Sequence, residues 1–248
     1  MYQNTNGIYY KTYGNNLGYT LVLLHGYLES SESWNHFAEL FADEYFVVCI
    51  DIPGHGKSAV LNENAGMENW ADAIISVCDH LGISAFHLAG HSMGGYLTLA
   101  ILARYSDRLN SAVLLHTHCF ADSEEKKNNR NREIGLIKEG KKELIINTSI
   151  PNLYSNDNLN AFAEQVEISR NIALQTKDEG IISALNTMKS RPDRSSILSR
   201  TDVPVLLVGG RKDNLIPFEM MEKMKALSPA IKLVSLEKSG HMGFIEEK

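Results

Sequence analysis

The feature that most constrains this chain is the junction Ala85-Phe86-His87-Leu88-Ala89-Gly90-His91-Ser92-Met93-Gly94-Gly95-Tyr96-Leu97-Thr98-Leu99. An apolar run of strand length ends at Gly90, and a helical pattern begins directly after it, with Ser92 between the two. A strand that turns straight into a helix must bend sharply. The residue at the bend is forced into a positive-φ backbone, a strain of roughly 1–3 kcal/mol. Glycine at 90 and 94 lets the strand and the helix approach closely. The bend lifts the Ser92 hydroxyl clear of the backbone, and the helix N-terminus beneath it offers N–H donors and a positive dipole end. That arrangement suits a nucleophile attacking a carbonyl, because the oxyanion that forms needs such donors.

The flanking sequence predicts a layered architecture. Gly7 to Tyr13 is aromatic and β-branched and reads as an early strand. Thr20 to His25 and Tyr45 to Ile50 are nearly all apolar, as expected of parallel strands buried on both faces. Trp34, Phe37, Leu40 and Phe41 fall at helical spacing within 33–43, and Trp70, Ile74, Val77 and Leu81 do so within 67–81. A helix through Tyr105 and a strand over 109–115 follow the junction. Strands alternating with helices predict a parallel sheet with right-handed crossovers.

The alternation stops at about residue 120. Between 120 and 200 helical patterns replace strands. Asp122-x-x-Glu125 has the form of a capping box, and Glu124 to Gly140 is strongly charged, with Lys126, Lys127, Arg130 and Arg132 close together. That run reads as a solvated helix face, or as a basic rim attracting a carboxylate-bearing substrate. Amphipathic patterns cover 157–176 and 179–189. Val203 to Gly210 restores the sheet, followed by a helix over 217–227 and a last strand over 231–236.

Gly90-His91-Ser92-Met93-Gly94-Gly95 resembles the nucleophile elbow of the α/β-hydrolases. Asp51-Ile52-Pro53-Gly54-His55-Gly56-Lys57-Ser58 is similar to a companion loop of that family, read here as structural rather than as an Asp51–His55 catalytic pair. The resemblance implies an α/β fold, a mostly parallel central sheet with helices on both faces. It divides the chain into a core over 1–119 and 201–248 and an inserted helical cap over 120–200. It implies a catalytic triad in the family order Ser92, Asp213, His241, with Ser92 attacking, His241 relaying the proton and Asp213 fixing the imidazole. Asp122, after the preceding sheet strand, is the other candidate acid. The loop after His25-Gly26 implies the Tyr27 backbone N–H as one oxyanion donor, with Met93 as the second. A serine at the elbow sets the chain apart from relatives with an aspartate nucleophile.

His118 and the cap residue Phe162 are candidate substrate-binding residues. His116 and His118 stand two apart at a strand end, but no clustering typical of a zinc site accompanies them, and no metal is expected. The sequence contains no Gly-x-Gly-x-x-Gly or P-loop pattern, so no cofactor is expected. A net charge of −6 argues against a nucleic-acid partner, and no apolar run reaches the roughly 20 residues that span a membrane. Met1 to Asn6 lacks the basic and apolar regions of a signal peptide. With three widely spaced cysteines, Cys49, Cys78 and Cys119, a reducing cytoplasm is the expected location. The expected partner is a small acyl substrate: an ester, thioester or lactone cleaved through an acyl-enzyme. The alternatives are a carbon–carbon bond hydrolase using the same triad, a small-ligand receptor that retains the triad with little turnover, and a protein-docking scaffold. Oligomeric state is left open.

Overall fold

The computed structural model describes residues 2–15, 18–62 and 65–247; Met1 and Lys248, the outermost residues of the expected core, lie outside them. The strands are β1 (Tyr2–Thr5), β2 (Ile8–Tyr13), β3 (Tyr19–Leu24), β4 (Tyr45–Ile50), β5 (Phe86–His91), β6 (Leu109–Leu115), β7 (Val205–Gly210) and β8 (Lys232–Leu236). They form one eight-stranded sheet in the order β1-β2-β4-β3-β5-β6-β7-β8. β1 and β2 pair antiparallel, and β2 meets β4 antiparallel; from β4 to β8 every pairing is parallel. Val22, Leu23, Val47, Val48 and Leu88 are fully buried, which is why their strands read as continuous apolar runs rather than alternating ones.

The helices α1 (Asn35–Phe41), α2 (Met67–His80) and α3 (Met93–Arg104) belong to the first half of the chain. Between β6 and β7 lie α4 (Glu124–Lys138), α5 (Lys142–Ser149), α6 (Ala163–Gln175), α7 (Asp178–Ser190) and α8 (Ser195–Arg200), with no strand among the described residues of that segment. Helices α9 (Phe218–Lys225) and α10 (Gly243–Glu246) follow β7 and β8. No helix among the described residues is long and apolar enough to cross a membrane. The three cysteines are buried and free.

Local departures from the sequence reading have physical causes. Strand β1 was not anticipated: Tyr2-Gln3-Asn4-Thr5 has little hydrophobic signal, and its strand character comes from pairing with β2. The N-cap of α4 is Ser123, not Asp122. The Ser123 Oγ accepts the Lys126 N–H at 3.2 Å. The Asp122 carboxylate is drawn inward instead, onto Arg130 and Arg191. Helix α6 begins at Ala163, six residues later than the 157 expected from periodicity. Helices α5 and α8 were not anticipated, being too short for a periodic signal.

Candidate active site

The C-terminal ends of β3, β5, β6 and β7 and the loop after β8 converge at one edge of the sheet, as open parallel sheets dictate. Ser92 stands between β5 and α3 with φ 51° and ψ −112°. Its strain is held from several sides. Ser92 N–H donates to Leu115 O at 2.9 Å, and Thr117 Oγ donates to Ser92 O at 2.8 Å. The bend also requires glycines. A Cβ at Gly90 would strike Gly94 O and the Thr98 hydroxyl, and one at Gly94 would strike Leu24 O. Met93 is the first residue of α3, so its N–H has no intrahelical acceptor. Leu28 and His116 also adopt positive φ, at 61° and 48°. Three strained non-glycine residues thus surround one site, the pattern expected where function maintains strain.

Asp213 and His241 meet here. His241 Nδ1 lies 2.8 Å from Asp213 Oδ2, both side chains almost fully buried. The other carboxylate oxygen, Oδ1, accepts the N–H groups of Leu215 and Ile216 at 2.8 and 2.9 Å. His116 Nδ1 also reaches Asp213 Oδ2, at 3.1 Å. Burial alone would raise the Asp213 pKa, but the charge of His241 and the hydrogen bonds from His116 and His241 hold it well below the usual carboxylate range. The second nitrogen of His241, Nε2, is buried with no hydrogen-bond partner among the described residues. Ser92 and His241 line the same cavity, of about 480 Å³. An imidazole so oriented has one nitrogen fixed on a carboxylate and the other free to take a proton from a nearby hydroxyl.

His241 is anchored by its surroundings. Its N–H donates to Leu153 O at 2.7 Å, from the segment between β6 and β7. The Glu246 carboxylate accepts the N–H groups of Gly240 and Ser155 at 2.9 and 3.0 Å, so α10 folds back to hold the loop. A buried pair completes the frame. His91 Nδ1 lies 2.9 Å from Glu29 Oε1, and His91 Nε2 donates to His241 O at 2.8 Å. Glu29 Oε2 accepts the Gly26 N–H at 3.0 Å. Burial disfavours both charges, yet each partner favours the other's ionised form: Glu29 is lowered and His91 raised from their ordinary values. One pair thereby links the Gly26–Tyr27 loop, the bend at Ser92 and the His241 loop.

Other residues singled out from the sequence are placed as follows. Tyr27 lines the cavity, and its hydroxyl donates to Glu133 Oε1 at 2.6 Å. His118 lines the cavity near Tyr96. Asp122 lines it too but is bound to Arg130 and Arg191, not to His241. Asp51 and His55 are not a reacting pair: the Asp51 carboxylate accepts the N–H groups of Ser31 and Lys57, closing a loop. Phe162 corrects the expectation: it is absent from the cavity wall and stands at the start of α6, packed against the hydrophobic core. Periodicity had given its apolar face but not the neighbour that face meets. The sequence reading missed Glu29, His91 and the contact of His116 with Asp213, because each depends on residues distant in sequence.

Buried histidines around the site make the fold acid-sensitive. His25 donates from Nδ1 to Gly26 O at 2.8 Å and accepts the Ile52 N–H at Nε2 at 2.9 Å, which requires the neutral ring. Burial lowers its pKa to about 4, that of His55 to about 3 and that of His116 to about 4. An unfolded chain protonates these rings near pH ~6.5. Between that value and about 4 the unfolded state therefore binds more protons, and stability falls as pH drops through this window. His91, with its raised pKa, contributes in the opposite sense and only as pH rises above about 6.5. The urea midpoint should fall steadily from about pH 7 to about pH 5. A constant or rising midpoint would contradict this account of the three rings.

Comparison with known proteins agrees with this fold. A family model described as alpha/beta hydrolase fold matches residues 19–137 and 126–248. A thermophilic esterase from Thermogutta terrifontis, solved with malate bound, superposes with a TM-score of 0.92 at 31% identity, covering 97% of this chain and 88% of that one. The enol-lactonase from Burkholderia xenovorans LB400 superposes with a TM-score of 0.90 at 21% identity, covering 99% and 94%, a likeness of fold. The dihydrolipoyllysine-residue acetyltransferase component of the acetoin cleaving system of Pseudomonas putida is 27% identical over 245 residues, 91% of this chain. The chain spans only 59% of the length of that relative.

Proposed function

Because this chain belongs to the alpha/beta hydrolase fold family, we propose that it hydrolyses a small ester, thioester or lactone through an acyl-enzyme on Ser92. One observation supports this reading above the rest. The His241 imidazole is bonded to Asp213 through one nitrogen while the other is buried with no hydrogen-bond partner among the described residues, and His241 lines the same cavity as Ser92. In the proposed reaction His241 takes the Ser92 proton as Oγ attacks the carbonyl carbon. The oxyanion is met by the N–H groups of Met93 and Tyr27. His241 then returns the proton to the departing alcohol or thiol, and water cleaves the acyl-enzyme by the same relay. A lactone follows the same steps, with its alcohol still tethered to the acyl group. The 31% identical esterase above supports the ester reading.

In this reading the segment that carries α4 to α8 forms a cap that selects the substrate, since α4 and the stretch after α5 supply much of the cavity wall, including Lys126, Arg130, Ile150 and Leu153. The test is a panel of p-nitrophenyl esters of graded acyl length together with simple lactones. Turnover with an initial burst of nitrophenol, equal to the enzyme concentration, is the expected result whenever deacylation is the slower step. Tight binding of these compounds with turnover no faster than that of a Ser92→Ala variant would favour the receptor reading and overturn this one.

A further inference from the structure

We propose that the cavity beside Ser92 is built to hold a substrate bearing a carboxylate, with Lys126 as the group that receives it. The reaction assumed for that substrate rests on the function proposed above; the binding does not. Lys126, Asn129, Arg130 and Glu133 fall at i, i+3, i+4 and i+7 along α4, so they share one helix face, and all four line the cavity. The wider basic run read from the sequence is thereby divided. Lys127 turns away to pair with Glu124 at 2.8 Å, and neither it nor Arg132 lines the cavity.

The charges on this wall and directly behind it do not balance. Arg130 Nε and Arg191 Nη1 share one buried carboxylate, that of Asp122, at 2.5 and 2.6 Å. Two guanidinium charges therefore meet one negative charge. Lys126 adds a third cation, and no ion pair or hydrogen bond of its ammonium is found among the described residues. The remaining acid, Glu133, is occupied by the Tyr27 hydroxyl, and its burial favours the neutral carboxyl. Even with Glu133 ionised, Lys126 and Arg130 on the wall and Arg191 behind it set three cations against the two carboxylates of Asp122 and Glu133, leaving one positive charge for a monoanion. The cavity is also lined by the apolar side chains of Ile150, Leu153, Ile216 and Met220. A molecule with a scissile carbonyl, a short apolar stretch and one carboxylate complements this lining. A neutral ester would leave the excess charge unmet, and a cationic one would be repelled.

The test compares the monomethyl ester of glutaric acid with its carboxamide isostere, alongside calorimetric titration of free glutarate and inorganic phosphate. The wild type should prefer the acid ester by about tenfold or more in kcat/KM, the lower end of what a focused positive cleft contributes. The ratio should fall towards one in Lys126→Met and in molar salt. Lys127→Met, which alters a cation outside the cavity, should leave the ratio in place. A wild-type ratio at or below one, or a ratio untouched by Lys126→Met, would overturn the proposal. If neither ester turns over, the nitrophenyl ester panel judges the hydrolase reading and the titration decides the carboxylate site. Glutarate binding that Lys126→Met abolishes sustains the carboxylate site. Failure to bind glutarate at millimolar concentration, or binding of phosphate as tightly, overturns it.

Discussion

Replacing Ser92 with alanine is expected to reduce kcat by roughly 10⁶-fold while leaving the fold intact, the size of loss seen when the nucleophile of such a triad is removed. The fold should tolerate the change, because the Ser92 side chain is not what holds the bend. The backbone N–H and C=O of that residue are fixed by Leu115 and Thr117, and the close approach is provided by Gly90 and Gly94. Rate and stability are therefore separable at this position. The residual rate should be what oxyanion donors and substrate binding supply alone. His241→Ala should lose about as much, and the double variant little more, because nucleophile and base act as one unit. A Ser92→Ala protein that retains wild-type turnover would make the bend a structural turn.

The second large effect is expected at the carboxylate. Asp213→Asn should lower kcat by up to about 10⁴-fold, since the amide no longer holds the imidazole in the working tautomer. The structure adds a reason for a large effect. Asp213 Oδ2 receives both His241 and His116, and Oδ1 receives two backbone N–H groups. An Asn NH₂ placed at either oxygen position would confront donors with a donor. Asp122→Asn is expected to act differently. Its carboxylate holds Arg130 in the cavity wall and Arg191 behind it, so the change should perturb stability and substrate affinity far more than kcat. Measuring kcat, KM and urea midpoints for both variants separates the two roles. A larger kcat loss in Asp122→Asn than in Asp213→Asn would move the orienting acid to residue 122.

Much of this was legible in the sequence because it depends on local rules. A strand of buried apolar residues, a glycine on either side of Ser92 and a helix starting at once leave the backbone few alternatives. Asp213 and His241 follow apolar strand-like runs, and a parallel sheet brings such ends together. What escaped is what only tertiary packing decides. His116 meets Asp213 across 97 positions of sequence, and His91 meets the His241 carbonyl across 150. No spacing rule links them. The basic run of α4 was visible, but its division between cavity and solvent was not, because it depends on where Asp122 and Arg191 hold the helix. Phe162 shows the same limit: its apolar character was plain, yet it serves the core rather than the cavity. Strand β1 owes its structure to its neighbour, not to its own residues.

The most direct measurement of the central claim is covalent. A fluorophosphonate mimics the acyl group and captures a serine only where a base and an oxyanion site activate it. Incubated with the wild type, it is expected to add once per chain, with peptide mapping placing the adduct on Ser92 and not on Ser84 or Ser106. No adduct should form in Ser92→Ala, and labelling should be slowed strongly in His241→Ala. An adduct on another residue, or undiminished labelling of Ser92→Ala, would contradict the assignment of Ser92 as the nucleophile.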